Sequence, residues 1–205
     1  MVVMSAKLER TFTKLSSPWK IQEYISKIPY NPDDYCRSAE RVVLEQKAHC
    51  LEGALLAAVA LERLGHQPQL MHLRSHRDDD HVIALFREKK KWGAVGKSNT
   101  TLLTWRPALY DNLQALFMSY FPFYFNQKGE MSLYAWAGPI DLARYEKKWH
   151  WRNSKKDISD MGASFYNIRG ERLLSLRAIE KLAPAPKLLR QACFLGANKS
   201  GLYKG

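Results

Sequence analysis

The stretch AHCLEGALL at residues 48–56 opens a run that stays apolar on almost every side, and from Leu51 to Leu64 the chain reads LEGALLAAVALERL. A helix that is apolar all round must lie inside the protein. Gly65 suits the left-handed conformation that ends a helix, and Pro68 prevents the helix from resuming. The stretch therefore predicts one buried helix, with Cys50 at or just before its first turn.

The position of Cys50 at a helix start favours a reactive thiol. Free backbone N–H groups and the positive end of the helix dipole stabilise a thiolate there. The backbone N–H of Cys50 or of Leu51 would also stabilise a developing oxyanion. Glu52 works against this arrangement, because a negative charge beside the sulfur opposes thiolate formation. Cys50 is the predicted nucleophile, and a small buried hydrophobic residue is the alternative interpretation.

Three short apolar runs after the helix are typical of strands, and a histidine opens the middle one. The runs are Gln69–Leu73, Val82–Phe86 and Trp92–Val95. His81 directly follows three consecutive aspartates, at positions 78–80. A helix that begins with Cys and packs on strands that carry His brings a thiol and a base together from distant positions. His81 is therefore the predicted general base.

Together these pieces resemble the transglutaminase-like superfamily, relatives of the papain-like cysteine hydrolases. The matching features are a Cys before a helix of small residues that ends in Leu-Gly, an Asp-His before an apolar strand, and a Trp in the next strand. They lie between about Cys36 and Asn99. The resemblance implies an α+β fold with a papain/transglutaminase-like core, in which the buried helix packs on an antiparallel sheet. It also implies acyl transfer or amide hydrolysis through a Cys50 thioester, of the protease, deamidase or transglutaminase type.

One departure from this family concerns the residue that orients the histidine. The family usually places an Asp four residues after the Trp, and Gly96 stands at that position. Ser98, Asn99 or an aspartate from positions 78–80 would then orient His81, or the triad is incomplete. A neutral amide can hold an imidazole in the required tautomer. The sequence leaves these alternatives open.

The resemblance also suggests residues that line a substrate groove. His49, Leu51, Asp80 and Trp92 are the candidates, although His49 has a structural interpretation and Trp92 is most simply a core residue. A metal site built from the nearby histidines is disfavoured, because their spacing matches no recognised zinc pattern. We therefore expect no metal and no other cofactor, and a protein or peptide as the substrate.

The composition of the 205-residue chain is that of a globular protein, with 46% hydrophobic and 25% charged residues. One domain over residues 1–205 is expected, with a core at about 30–150 and a basic C-terminal extension at about 151–205. No apolar run approaches the ~20 residues of a membrane span, and the first ten residues show no secretory signal. Three cysteines fit reduced thiols better than a disulfide framework, so the predicted location is cytoplasmic.

The net charge of +12 is unevenly distributed along the chain. Residues 144–205 hold fourteen Lys and Arg against five Asp and Glu, a surplus of nine, which leaves three for the rest of the chain. This surplus supports an alternative function. A non-catalytic module of the same fold would bind nucleic acid or an acidic partner through its basic C-terminal third. A solvated basic surface without a partner is the plainer interpretation.

Overall fold

A buried helix packed on one face of an antiparallel sheet forms the centre of the fold. The computed structural model describes residues 5–204. Its helices are Ala6–Phe12 (α1), Pro18–Lys27 (α2), Ala39–Glu45 (α3), Cys50–Arg63 (α4), Leu113–Met118 (α5), Ala143–Trp149 (α6), Ser159–Ser164 (α7), Leu176–Ile179 (α8) and Lys187–Cys193 (α9). Its strands are Gln69–Ser75 (β1), His81–Glu88 (β2), Lys91–Gly96 (β3), Arg106–Tyr110 (β4), Leu133–Asp141 (β5) and Glu171–Arg172 (β6). The expected α+β class is thereby confirmed.

All six strands belong to one antiparallel sheet with the order β4-β3-β2-β1-β5-β6. Strands β2 and β3 pair from Ile83 opposite Gly96 to Glu88 opposite Lys91. Lys89 and Lys90 join them with positive φ angles of 47° and 68°, the backbone geometry that suits the twist of a tight hairpin. The hairpin fixes the register, so the start of β2 and the end of β3 meet at one edge of the fold.

Helix α4 lies inside the protein, as its sequence predicts. Every residue from Leu51 to Leu61 is buried, and Gly65 ends the helix region with a φ of 89°. Gly53 permits close approach to the sheet, since a Cβ there would lie 2.2 Å from the Cβ of Lys97. The first turn of α4 is therefore held against the chain that follows β3.

Strand β2 separates two hydrophobic cores. Val82, Ala84 and Phe86 pack with α4 in the larger core, whereas Ile83 and Leu85 pack on the opposite face of the sheet. Successive side chains of a strand point to opposite faces, so His81 shares the face of Ile83 and Leu85. The thiol of Cys50 lies 3.9 Å from the carbonyl oxygen of Asp80, the residue before β2.

The core continues beyond residues 30–150 in both directions. Leu8 and Ile21, from the first two helices, are fully buried in the same core as α4. Trp151, Met161 and Phe165 join that core from the C-terminal side, each exposed by 1% or less. Among the described residues, no helix is long and apolar enough to cross a membrane.

Candidate functional site

Cys50 and His81 line the same small cavity of about 70 Å³. The cavity lies at the N-terminal end of α4. Its walls also come from the aspartates before β2, the chain after β3, the aromatic segment Phe123–Phe125 and the C-terminal residues Gly201–Tyr203. The structure thus brings the predicted nucleophile and the predicted base to one site, from elements that meet only in the folded chain.

Cys50 is the first residue of α4, and its half-buried thiol is protonated at neutral pH. Burial is the main cause that raises the pKa of Cys50, to about 11. The backbone N–H groups of Val82 and Leu51 act in the opposite direction, and the nearby charges of Asp79 and Asp80 raise the pKa further. The expectation of a thiolate at the helix start is therefore wrong for the resting protein, because desolvation outweighs the N–H groups.

Glu52 is fully buried, and hydrogen bonds and an ion pair stabilise its charged carboxylate. Its carboxylate accepts from the backbone N–H groups of Arg37 and His49, both at 2.7 Å. It also accepts from Asn31 Nδ2 at 2.9 Å and pairs with Arg37 Nη1 at 3.2 Å. The carboxylates that raise the pKa of Cys50 are those of Asp79 and Asp80. Glu52 therefore serves to tie the chain before α3 to the first turn of α4.

His81 is 4% exposed, and its ring is held in one tautomer. Nε2 lies 2.7 Å from the carbonyl oxygen of Leu103. A carbonyl can only accept, so Nε2 carries the proton and Nδ1 carries the lone pair. The pKa of His81 is lowered to about 4, mainly by burial and also by the charge of Arg106, although the hydrogen bond to Leu103 acts in the opposite direction. Within residues 5–204, no group hydrogen-bonds Nδ1, which leaves that nitrogen available as a base.

None of the side chains expected to orient His81 hydrogen-bonds its ring among the described residues, and most have other partners. Ser98 Oγ lies 3.0 Å from Thr100 Oγ1. Asn99 bonds to the C-terminal segment. Asp80 lines the cavity but lies 2.8 Å from His72 Nε2 and accepts from Ser75 N at 2.7 Å. The orienting group is the backbone of Leu103, which the sequence analysis did not identify.

The Leu103 carbonyl also lies close to Gly96, the position where the resemblance led us to expect an aspartate. Gly96 pairs with Ile83, on the face of the sheet that His81 shares. A Cβ at Gly96 would lie 3.3 Å from the Leu103 oxygen and 3.4 Å from the Thr104 oxygen. A side chain at this position would therefore be crowded by Ile83 and these two carbonyl oxygens, and the oxygens would repel a carboxylate.

The other groove candidates divide between the site and the scaffold. Leu51 belongs to the site through its backbone N–H, which acts on the sulfur of Cys50. His49 is the N-cap residue of α4, and the cavity wall is formed by other described residues. Trp92 lies at the opposite end of β3, where its ring stacks with Arg87 at 4.7 Å. Its expected place in the groove is wrong, since the hairpin register carries it away from His81.

The cavity has an acidic wall that the sequence analysis used only as a source of orienting groups. Asp78, Asp79 and Asp80 all line it, and among the described residues no Lys or Arg does. Burial raises the pKa of Asp78 to about 6, although Ser132 Oγ donates to it at 2.7 Å. Tyr30 also lines the cavity, and burial raises the pKa of its hydroxyl. Three consecutive aspartates before His81 were the sequence signal for this wall.

No group of three or more His, Cys, Asp or Glu side chains within residues 5–204 is arranged to hold a metal ion. The arrangement offers a thiol, a neutral imidazole and backbone N–H groups, which are the parts of acyl transfer. No model of a known protein family and no curated protein matches the chain.

Proposed function

We propose that this protein is a cysteine-dependent enzyme of acyl transfer or amide hydrolysis, built on a papain/transglutaminase-like core. Cys50 is the nucleophile and His81 is the general base. One observation carries the proposal. Leu103 fixes Nε2–H of a buried imidazole and so leaves the lone pair on Nδ1, and this histidine lines the same cavity as Cys50.

The pKa values determine the order of events. A thiol with a pKa of about 11 and an imidazole with a pKa of about 4 are both neutral at pH 7. The imidazole therefore removes the proton while the sulfur attacks, by general-base catalysis rather than through a preformed ion pair. The S–C bond forms at the amide carbonyl as the thiol proton passes to Nδ1. The imidazolium then donates that proton to the leaving amine, and a thioester remains on Cys50.

The second half of the reaction returns the enzyme to its resting state. An acceptor loses a proton to Nδ1 as it attacks the thioester carbon, the C–S bond breaks, and the sulfur leaves as a thiol. Water as the acceptor gives hydrolysis, and an amine gives amide exchange. The N–H groups of Cys50 and Leu51 lie in the first turn of α4, where no preceding helical turn supplies a carbonyl. They are the donors for the oxyanion of both steps.

Variants assayed on a mixed peptide pool test this proposal, with mass spectrometry to detect cleavage, deamidation and cross-linking. Cys50→Ala should abolish turnover, and His81→Gln should lower it by about 10²- to 10⁴-fold, the usual contribution of a general base. Cys193→Ala is the matched control, because that thiol lines the same cavity and should be dispensable. Turnover that survives Cys50→Ala would end the proposal.

A second candidate function rests on the surface after α6. Lys148, Lys155 and Lys156 are exposed around one open groove beside Trp149, which we call the lysine groove. Within the described part of the chain, none of the three lysines belongs to an ion pair. Unpaired cations beside an aromatic ring suit a polyanion such as nucleic acid. This function would not involve Cys50.

A further inference from the structure

We propose that Asn99, Gln127 and Tyr30 form a peptide-binding site at the mouth of the Cys50 cavity. The chain's own segment Asn198–Tyr203, here called the C-terminal strap, occupies that site. A peptide ligand of the same kind must displace the strap before it can reach Cys50. The identification of this ligand as a substrate rests on the proposed function, whereas the binding site itself does not.

Asn99 holds the strap through backbone atoms alone. Its Nδ2 donates to the carbonyl oxygens of Asn198 and Gly201, both at 2.9 Å. Its Oδ1 accepts from the backbone N–H of Asn198 at 2.8 Å. One side-chain amide thus pairs with both backbone groups of Asn198, as a neighbouring strand would. Such contacts recognise a peptide backbone whatever its side chains are.

A second amide holds the far end of the strap. Gln127 Nε2 donates to the carbonyl oxygen of Tyr203 at 2.6 Å. Between the two amides, Leu202 and Tyr203 are half-buried and form part of the cavity wall. The cavity that remains, about 70 Å³, has room for a few water molecules but not for a peptide. The strap therefore closes the cavity over Cys50.

Tyr30 makes the site selective for glycine. A Cβ at Gly201 would lie 2.5 Å from Cε1 and 2.9 Å from Cδ1 of the Tyr30 ring. Any larger residue at this point would have to push the ring aside. The class of ligand is therefore a peptide with a glycine against Tyr30, followed by apolar residues that enter the cavity, as Leu202 and Tyr203 do.

The first experiment measures how fast iodoacetamide alkylates Cys50 in the full chain at about pH 9, where the thiolate fraction of a buried thiol is measurable. Asn99→Ala removes three hydrogen bonds to the strap and should speed alkylation about tenfold. Asn167→Ala, at an exposed asparagine outside the cavity, should leave the rate unchanged. If Asn99 instead supported the site residues, its loss would slow the reaction or leave it unaltered, and either result overturns the proposal.

The second experiment supplies the ligand from outside. Gly201→Val should displace the strap while the site itself stays intact, and so should also speed alkylation. The synthetic peptide NKSGLY should then restore protection of Cys50 in this variant, and NKSVLY should not. Neither peptide should protect Asn99→Ala, which lacks the main binding group. Failure of NKSGLY to protect the Gly201→Val variant refutes the site.

Circular dichroism and thermal unfolding establish that each variant is folded before its rate is compared. The readout is access to a thiol and needs no turnover. If the proposed enzyme activity were not found, the alkylation rates could still support the peptide-binding site. If the alkylation rates refuted the peptide-binding site, the proposed enzyme activity would be unaffected.

Discussion

The tautomer of His81 follows from the chemistry of one acceptor. The carbonyl of Leu103 fixes Nε2–H as a carboxylate would, but it brings no negative charge. A carboxylate partner would stabilise the imidazolium and raise the pKa of the ring. With a neutral partner, burial dominates and the pKa of His81 falls to about 4. The result is a base that stays deprotonated well below neutral pH.

The low pKa of His81 predicts a change in stability with pH. In the unfolded chain the pKa of histidine is ~6.5, so His81 contributes stability that is complete above about pH 6.5 and is lost as the pH falls towards about 4. His81→Gln should reduce the loss of unfolding free energy between pH 7 and pH 4 by about 3 kcal/mol. Urea denaturation at pH 7 and at pH 4 measures this loss of unfolding free energy in the wild type and in the variant. Equal losses in the wild type and the variant would contradict the assignment.

The sequence indicated Cys50 and His81, which line one cavity, but not the groups that hold them. Cys50 and His81 could be predicted because a helix start and the onset of a strand leave local signals in the chain. Leu103 could not, since a backbone acceptor has no residue type and lies in an irregular loop 22 positions away. Asn99 was only one of the candidates for orienting His81, and its actual partners could not be foreseen, because they lie about a hundred residues further along the chain.

Elements with a clear hydrophobic period were predicted well, and short edge elements were not. Helix α4 and strands β1, β2 and β3 lie where the sequence indicated. Strand β4 was missed, because Pro107 argues against a strand except at a sheet edge, which is where β4 lies. The sequence has a helical period from Tyr110 to Phe121, but the helix is limited to α5. Tyr110 pairs with Trp92 in the sheet, and Asn112 caps the helix after it.

The first turn of α4 depends on Glu52, and this gives a prediction about stability. Glu52→Ala would leave Arg37 paired with Asp33 and Glu45, but it would remove the acceptor of the backbone N–H groups of Arg37 and His49. Each buried donor left unsatisfied costs about 1–3 kcal/mol. Urea denaturation should therefore show a loss of this order. Glu23→Gln, which removes an exposed pair with Lys20, should change the free energy of unfolding by less than about 0.5 kcal/mol.

Glu52→Ala should also affect the candidate site around Cys50, because the same carboxylate fixes the backbone N–H of His49, one residue before Cys50. We expect Cys50 to be alkylated at a different rate in this variant, while Cys36 and Cys193 stay protected at low denaturant. A stability equal to that of Glu23→Gln would show that Glu52 is not the anchor of the helix start.

The C-terminal third is part of the folded body rather than a separate basic extension. It supplies Trp151 and Phe165 to the main core, strand β6 to the sheet and the strap to the cavity. Its positive charge therefore lies on the surface of the same domain as the acidic cavity. The basic surface and the acidic cavity have electrostatic potentials of opposite sign. Ligand binding at the two places should therefore respond differently to salt.

Salt should separate the two candidate functions. A polyanion held by the lysine groove should lose affinity by about 0.7–0.9 log units for each log unit of salt and each phosphate contact. The triple variant Lys148→Gln, Lys155→Gln, Lys156→Gln should lower that slope by about two to three, as measured by fluorescence anisotropy of a labelled oligonucleotide.

Turnover of a small neutral peptide at Cys50 should change little with salt and be the same in the triple variant, because no Lys or Arg among the described residues lines the cavity. Cys50→Ala is the reciprocal control and should leave oligonucleotide binding intact. If the triple variant lost peptide turnover together with binding, the lysine groove and the cavity would act as one site rather than two.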